Sequence, residues 1–134
     1  MLDQASLVDR FLAAVASGDT DALAAILHPD FEIIEADSLP YAGTYRGLSG
    51  WLDLVAAVGR AWRGVAIELV EHPWVTNDDV FALFRMQGKA RNTGIQFSTL
   101  ILERWQIVDH RVRKITPFYF DTGALMSICR ADKG

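Results

Sequence analysis

The chain has 134 residues, 51% of them hydrophobic and 22% charged, with a formal net charge of −4. That suits one compact domain over residues 1–134 with a single core, and it is not the composition of a disordered chain. The acidic balance excludes nucleic acid as a partner, because phosphate binding needs a basic surface. No apolar run approaches the ~20 residues of a bilayer span, so no membrane partner is expected. The opening MLDQASLVDR carries acids early and lacks a basic n-region, so it does not read as a signal peptide. Cys129 is the only cysteine. No intrachain disulfide is expected, and a cytoplasmic location follows.

Residues Asp3 to Ala16 carry Leu7, Val8, Phe11, Leu12 and Val15 at the spacing of an amphipathic helix. Ser17-Gly18 ends it, with the glycine suited to a left-handed C′ position. Asp19 then caps a second helix bearing Leu23, Ile26 and Leu27, and His28-Pro29-Asp30 stops it. FEIIEA, residues 31 to 36, reads as a first strand, followed by the loop DSLPYAGTYRG. Ser49 to Trp62 reads as a third helix with Trp51, Leu52, Val55, Val58 and Trp62 on its apolar side.

From Val65 onward the pattern is extended: VAIELVEHPWV, VFALFRMQG, GIQFSTLILERWQI and RVRKITPFYF. Short polar segments (TNDD, KARNT, VDH) separate them, as hairpin turns do. The expected class is α+β, with three N-terminal helices packed on one face of a curved antiparallel sheet. Within GIQFSTLILERWQI, Phe97, Ile101 and Trp105 share one face, and Leu100 and Leu102 share the other. An antiparallel sheet with one wet face alternates cleanly. Two apolar faces therefore imply a covered outer face, and a homodimer is the expected cover.

FLAAVASGDTDALAAILHPDF, LPYAGTYRG and PFYFDT resemble the SnoaL-like and ketosteroid isomerase-like members of the nuclear transport factor 2-like superfamily. The resemblance covers nearly the whole chain. It implies a cone-shaped α+β barrel with a pocket between curved sheet and helices, and frequent dimers. Its members include isomerases, epoxide hydrolases, dehydratases, polyketide cyclases and binding domains without catalysis, so fold alone does not set the activity. Ketosteroid isomerases place a phenol on the first helix, where this chain has Phe11. Their base on the first strand falls on Glu35. Their second acid, on the penultimate strand, falls on Leu102 or Glu103.

The ionisable groups each have two readings. Glu35 shares a strand face with Phe31 and Ile33. It is either a pocket group, whose pKa rises with lost hydration, or a group where the strand reaches solvent. Asp37 competes with it but lies nearer the loop. Alternation through PFYFDT puts Asp121 on the face of Tyr119, at the rim of the pocket. Asp121-Thr122 before GALMSI equally suits a helix N-cap, and the two roles are compatible.

Tyr41 and Tyr45 flank Gly43 in the covering loop and either donate to a ligand or pack. Phe11, Tyr41, Tyr45, Trp51, Trp105 and Tyr119 form the expected substrate-binding shell, with core or interface packing as the alternative for the tryptophans. Arg85, if buried, needs Glu103 or Glu35 as partner; if exposed, it is a surface charge.

His28, His72 and His110 are scattered, and no HExxH, CxxC, glycine-rich phosphate loop or GxSxG is present. No metal and no cofactor are expected. Two functions are open. One is a cofactor-independent acid/base enzyme, with Glu35 and Asp121 catalytic, acting on a small apolar carbonyl or polycyclic compound. The other is a ligand-binding or dimerisation module, favoured by the missing phenol at Phe11.

Overall fold

The structure is a computed structural model that describes residues 4–130. The expected helix start at Asp3 lies outside them. Helix α1, Ser6–Ser17, buries Leu7, Val8, Phe11 and Ala14. Gly18, at φ 68°, closes it by donating its N–H to the last carbonyls. Asp19 caps α2, Thr20–Ile26, by accepting from the Ala22 N–H at 3.0 Å. The chain then turns directly into strand β1, Leu27–Glu35, so His28-Pro29-Asp30 belongs to an irregular stretch of strand rather than to a loop.

Strand β2, Gly43–Arg46, pairs antiparallel with β1. Helix α3, Gly47–Ala61, follows and packs on both strands. Its Gly50 lies against the Tyr45 backbone, where an added Cβ would come within 2.8 Å. This close approach holds α3 tightly on the sheet.

Strands β3 (Trp62–Leu69), β4 (Trp74–Val75), β5 (Asp79–Ala90), β6 (Gln96–Val108) and β7 (Arg111–Tyr119) complete the sheet before helix α4, Thr122–Arg130. The order is β2-β1-β7-β6-β5-β3, with β4 paired to β5. β1 runs parallel to β7, so the sheet is mixed rather than wholly antiparallel. The β6–β7 hairpin turns through Asp109 and His110, both at positive φ, as a two-residue turn that follows the strand twist requires.

Cross-strand partners assign the two faces. Val80, Trp105 and Ile115 lie in one row, Ala82, Glu103 and Pro117 in the next, and Phe84, Ile101 and Tyr119 in a third. These rows form the inner face and share one core with α1, α2 and α3. The outer face carries Phe81, Leu83, Leu100, Leu102 and Phe118, with Leu102 and Phe118 exposed. The two-sided apolarity expected of β6 is therefore present.

Candidate functional site

The inner face is apolar except at a few positions, and those positions meet. Glu35, at the end of β1, is 5% exposed, and its Oε2 has no hydrogen-bond partner. Burial pushes its pKa up from 4.5 to about 8. The Glu103 carboxyl adds to the rise, while a hydrogen bond from Tyr119 opposes it. Glu103 projects from the middle of β6 between Ala82 and Pro117. Burial raises its pKa to about 7, partly offset by the Trp105 indole N–H, which donates to Oε1 at 2.9 Å.

Two acids that feel one another on an apolar face titrate as a pair. Between about pH 7 and 8 the pair holds close to one proton. One member then accepts a proton while the other donates a hydrogen bond. That combination suits proton transfer next to a carbonyl.

Behind Glu35 stands a row of donors. Tyr119 Oη and Tyr41 Oη are 2.9 Å apart, and Trp62 Nε1 donates to Tyr41 Oη at 3.1 Å. Burial pushes the Tyr41 pKa up to about 12 and raises that of Tyr119 further, with the Glu35 charge adding to both. Both phenols are thus neutral donors at any physiological pH. Tyr45, on β2, donates its hydroxyl to the Tyr41 carbonyl and so holds the loop that carries Tyr41.

Also on the inner side of the sheet, Phe11 makes T-shaped contacts with Trp51 and Trp105, with ring centroids 4.9 and 5.0 Å away. Each such contact contributes roughly 0.5–1.5 kcal/mol beyond burial. Through Trp105 this aromatic wall is tied directly to Glu103.

Asp121 stands elsewhere. It is exposed, and its Oδ1 accepts from the Ala124 N–H at 2.9 Å, which caps α4. It borders a groove of about 470 Å³ shared with Arg85, Ser98, Leu100 and Leu125, which contains none of the interior acids. Strand β7 ends at Tyr119, so strand alternation does not extend to Asp121. Asp37 is exposed beyond the end of β1. Arg85 faces outward and donates to Ser98 Oγ at 3.0 Å, so neither Glu35 nor Glu103 is its partner.

The structure thus brings Glu35, Tyr41, Tyr119, Trp105, Trp51 and Phe11 to the inner face and leaves Asp121 on the helix cap. Of Leu102 and Glu103, it is Glu103 that lies on the inner face, and the structure adds Trp62. Alternation from Ile101 and Trp105 was the sequence signal for Glu103. Nothing in the sequence pairs Trp62 with Tyr41. Among the described residues no group of three or more His, Cys, Asp or Glu is placed to hold a metal ion.

Solved structures share this architecture. A nuclear transport factor 2-like protein from Burkholderia thailandensis is 26% identical, with a TM-score of 0.85 over 98% of this chain and 100% of its own. One of unknown function from Burkholderia pseudomallei has the same score and coverages at 19% identity. A SnoaL-like polyketide cyclase, so described without an established activity, from Jannaschia is 16% identical, with a TM-score of 0.75 over 94% of this chain and 93% of its own. None of the curated proteins matches the chain. The family described as the SnoaL-like domain matches residues 8–115, and the chain belongs to that family.

Proposed function

We propose that the chain binds a small, mostly apolar molecule bearing a carbonyl between sheet and helices, and moves a proton on it without a cofactor. The reaction class is isomerase, cyclase or dehydratase. One observation carries this reading. Glu103 keeps part of its surface open although it projects from the middle of the inner face, and nearby Glu35 Oε2 is buried without a partner. A buried polar atom left unpaired is costly, and a ligand oxygen or proton would relieve that cost.

In this reading the ionised member of the Glu35–Glu103 pair takes a proton from the carbon next to the carbonyl. The released electron pair moves into the enolate, and the protonated member hydrogen-bonds the enolate oxygen. Phe11, Trp51 and Trp105 form the apolar wall against which the substrate lies. Asp121 serves the site by holding α4. A second copy covers the outer sheet face. The single cysteine fits a cytoplasmic setting, and among the described residues no helix is long and apolar enough to cross a membrane.

A binding role without chemistry is favoured by Phe11, which offers no hydrogen-bond donor where ketosteroid isomerases carry a phenol. One experiment separates the readings. A panel of cyclic ketones and enones is incubated with the protein in D2O. Binding is followed by tryptophan fluorescence, and hydrogen exchange next to the carbonyl by NMR. Exchange that disappears in Glu35→Gln and Glu103→Gln supports the enzyme. Binding without exchange supports the binding module, and the absence of both rejects this ligand class.

A further inference from the structure

The outer face of the sheet changes character toward the β5–β6 turn. Residues 54–67 and 80–102 carry Arg60, Arg63, Arg85, Lys89 and Arg91 and no acid, in a chain of net charge −4. Two of these cations are cross-strand partners: Arg63 on β3 stands opposite Lys89 on β5. Opposed residues on neighbouring strands lie only about 5 Å apart at Cα, and like charges placed so destabilise the sheet. Both side chains are exposed, and among the described residues neither has a carboxylate partner. The nearest acid on this face, Glu68 opposite Arg85, is separated from them by the row of Ala66 and Gln87. Arg91 is engaged elsewhere, its Nε donating to the Gly59 carbonyl at 2.8 Å.

Arg63 and Lys89 border a groove of about 480 Å³ whose lining contains no acid. Gln96 on β6 stands opposite Lys89, so Arg63, Lys89 and Gln96 form one row of donors across three strands. The β3 ladder slips between Arg63 and Ala66, where Gly64 takes φ 62°, and this bulge bends the strand beside the cations. Facing the bulge, Gly88 has no side chain, and the Phe97 ring lies against it: an added Cβ would come within 3.1 Å of the ring. Phe97 also lines the groove. A charged row and an aromatic surface therefore stand side by side.

We propose that this groove binds a small phosphate monoester, with the phosphoryl group between Arg63 and Lys89 and the apolar body against Phe97. A phosphoryl dianion neutralises both cations at once. It gives acceptors to the guanidinium fork and to the ammonium, and so replaces their repulsion by two attractions. A single carboxylate would balance only one of them. The row of cations is on the opposite side of the sheet from Glu35 and Glu103, and the site does not depend on the acid/base reading. Gln96 is six residues along β6 from Leu102, about 20 Å, so the groove lies beside the proposed dimer contact rather than beneath it.

The test is an NMR titration of nitrogen-labelled protein with phenyl phosphate, inorganic phosphate and phenylacetate. The amides of Gly64, Gly88 and Gly94 report the groove, and that of Gly18 is the distant control. Phenyl phosphate should move the three groove signals with a Kd on the order of 1 mM, and inorganic phosphate should bind about tenfold more weakly. Phenylacetate should bind worst. No movement, or movement centred on Trp105 and Tyr119, overturns the site. Inorganic phosphate as tight as phenyl phosphate overturns the monoester, and phenylacetate as tight overturns the dianion.

Arg63→Gln and Lys89→Gln should each weaken phenyl phosphate by about tenfold, the loss expected for one charge-assisted contact. Unchanged affinity in both overturns the proposal. Without ligand, each variant should melt no lower than the wild type, because a like-charge contact has been relieved. A lower Tm in both would mean that the two cations already stabilise the sheet, which counts against an anion between them.

Discussion

Trp105 donates its indole N–H to Glu103 Oε1 from two positions along the same face of β6, at 2.9 Å. The same ring receives the edge of Phe11. One tryptophan therefore sets both the electrostatics and the wall of the site. Trp105→Phe keeps most of the ring and removes the donor. The Glu103 pKa should then rise above about 7, because the bond that favours its ionised form is lost. Glutamate carboxyl NMR checks this, with Glu103→Gln for assignment.

Stability should fall as pH rises between about 4.5 and 8. Glu35 and Glu103 hold their protons in the folded chain to about pH 8 and 7, against an ordinary value of 4.5. Over that range the folded chain binds more protons than the unfolded one, so stability declines with pH. The contribution is fully present below pH 4.5 and is lost as pH passes through 7 and 8. Urea unfolding at pH 5 and pH 8 should differ by several kcal/mol, on the order of 6. Replacing both acids by Gln should flatten the curve.

Asp121→Ala should cost about 1 kcal/mol, the usual loss for an N-cap, while Asp121→Asn keeps the capping oxygen and should be close to neutral. The far end of α4 is held as well, since Asn92 Nδ2 donates to the Cys129 carbonyl and Thr93 Oγ1 to that of Ile128 at 3.1 Å. Chemical denaturation of the two variants measures the cap. Substrate exchange in Asp121→Asn at the wild-type rate would remove the carboxylate from the chemistry.

Leu102→Arg should convert a dimer to a monomer in sedimentation at micromolar concentration. Leu102 and Phe118 are opposite each other on the outer face, and Phe118 is 57% exposed. A second copy seated there would bury an unpaired guanidinium, which costs several kcal/mol. A wild-type chain that sediments only as monomer would refute the proposed dimer.

Much of the fold was legible because its signals are local. Leu7, Val8 and Phe11 mark α1, Asp19 marks the start of α2, and the polar turns mark the long hairpins. Two short strands were hidden. Gly43–Arg46 has the composition of a loop, and Trp74–Val75 merged with β3 across Pro73. The parallel pairing of β1 with β7 joins distant parts of the chain, which no local pattern encodes. At the site, period-two alternation placed Glu35 and Trp105 on the inner face. Asp121 was read by the same rule past Tyr119, where the strand ends and the rule no longer applies. The Trp62–Tyr41 bond joins a strand start to a loop and depends wholly on tertiary packing.

The row that holds Glu103 has Ala82 on one side and Pro117 on the other. Neither residue carries chemistry, yet both are too small to reach over the acid. For the proposed ligand, size would then be governed from a position that a search for reactive groups would pass over. Exchange of the Ala82 methyl for a leucine side chain would place bulk against Glu103 in a close-packed interior that has little room to yield. Within one scaffold, divergence in what is admitted can proceed by such changes while the acids themselves stay in place.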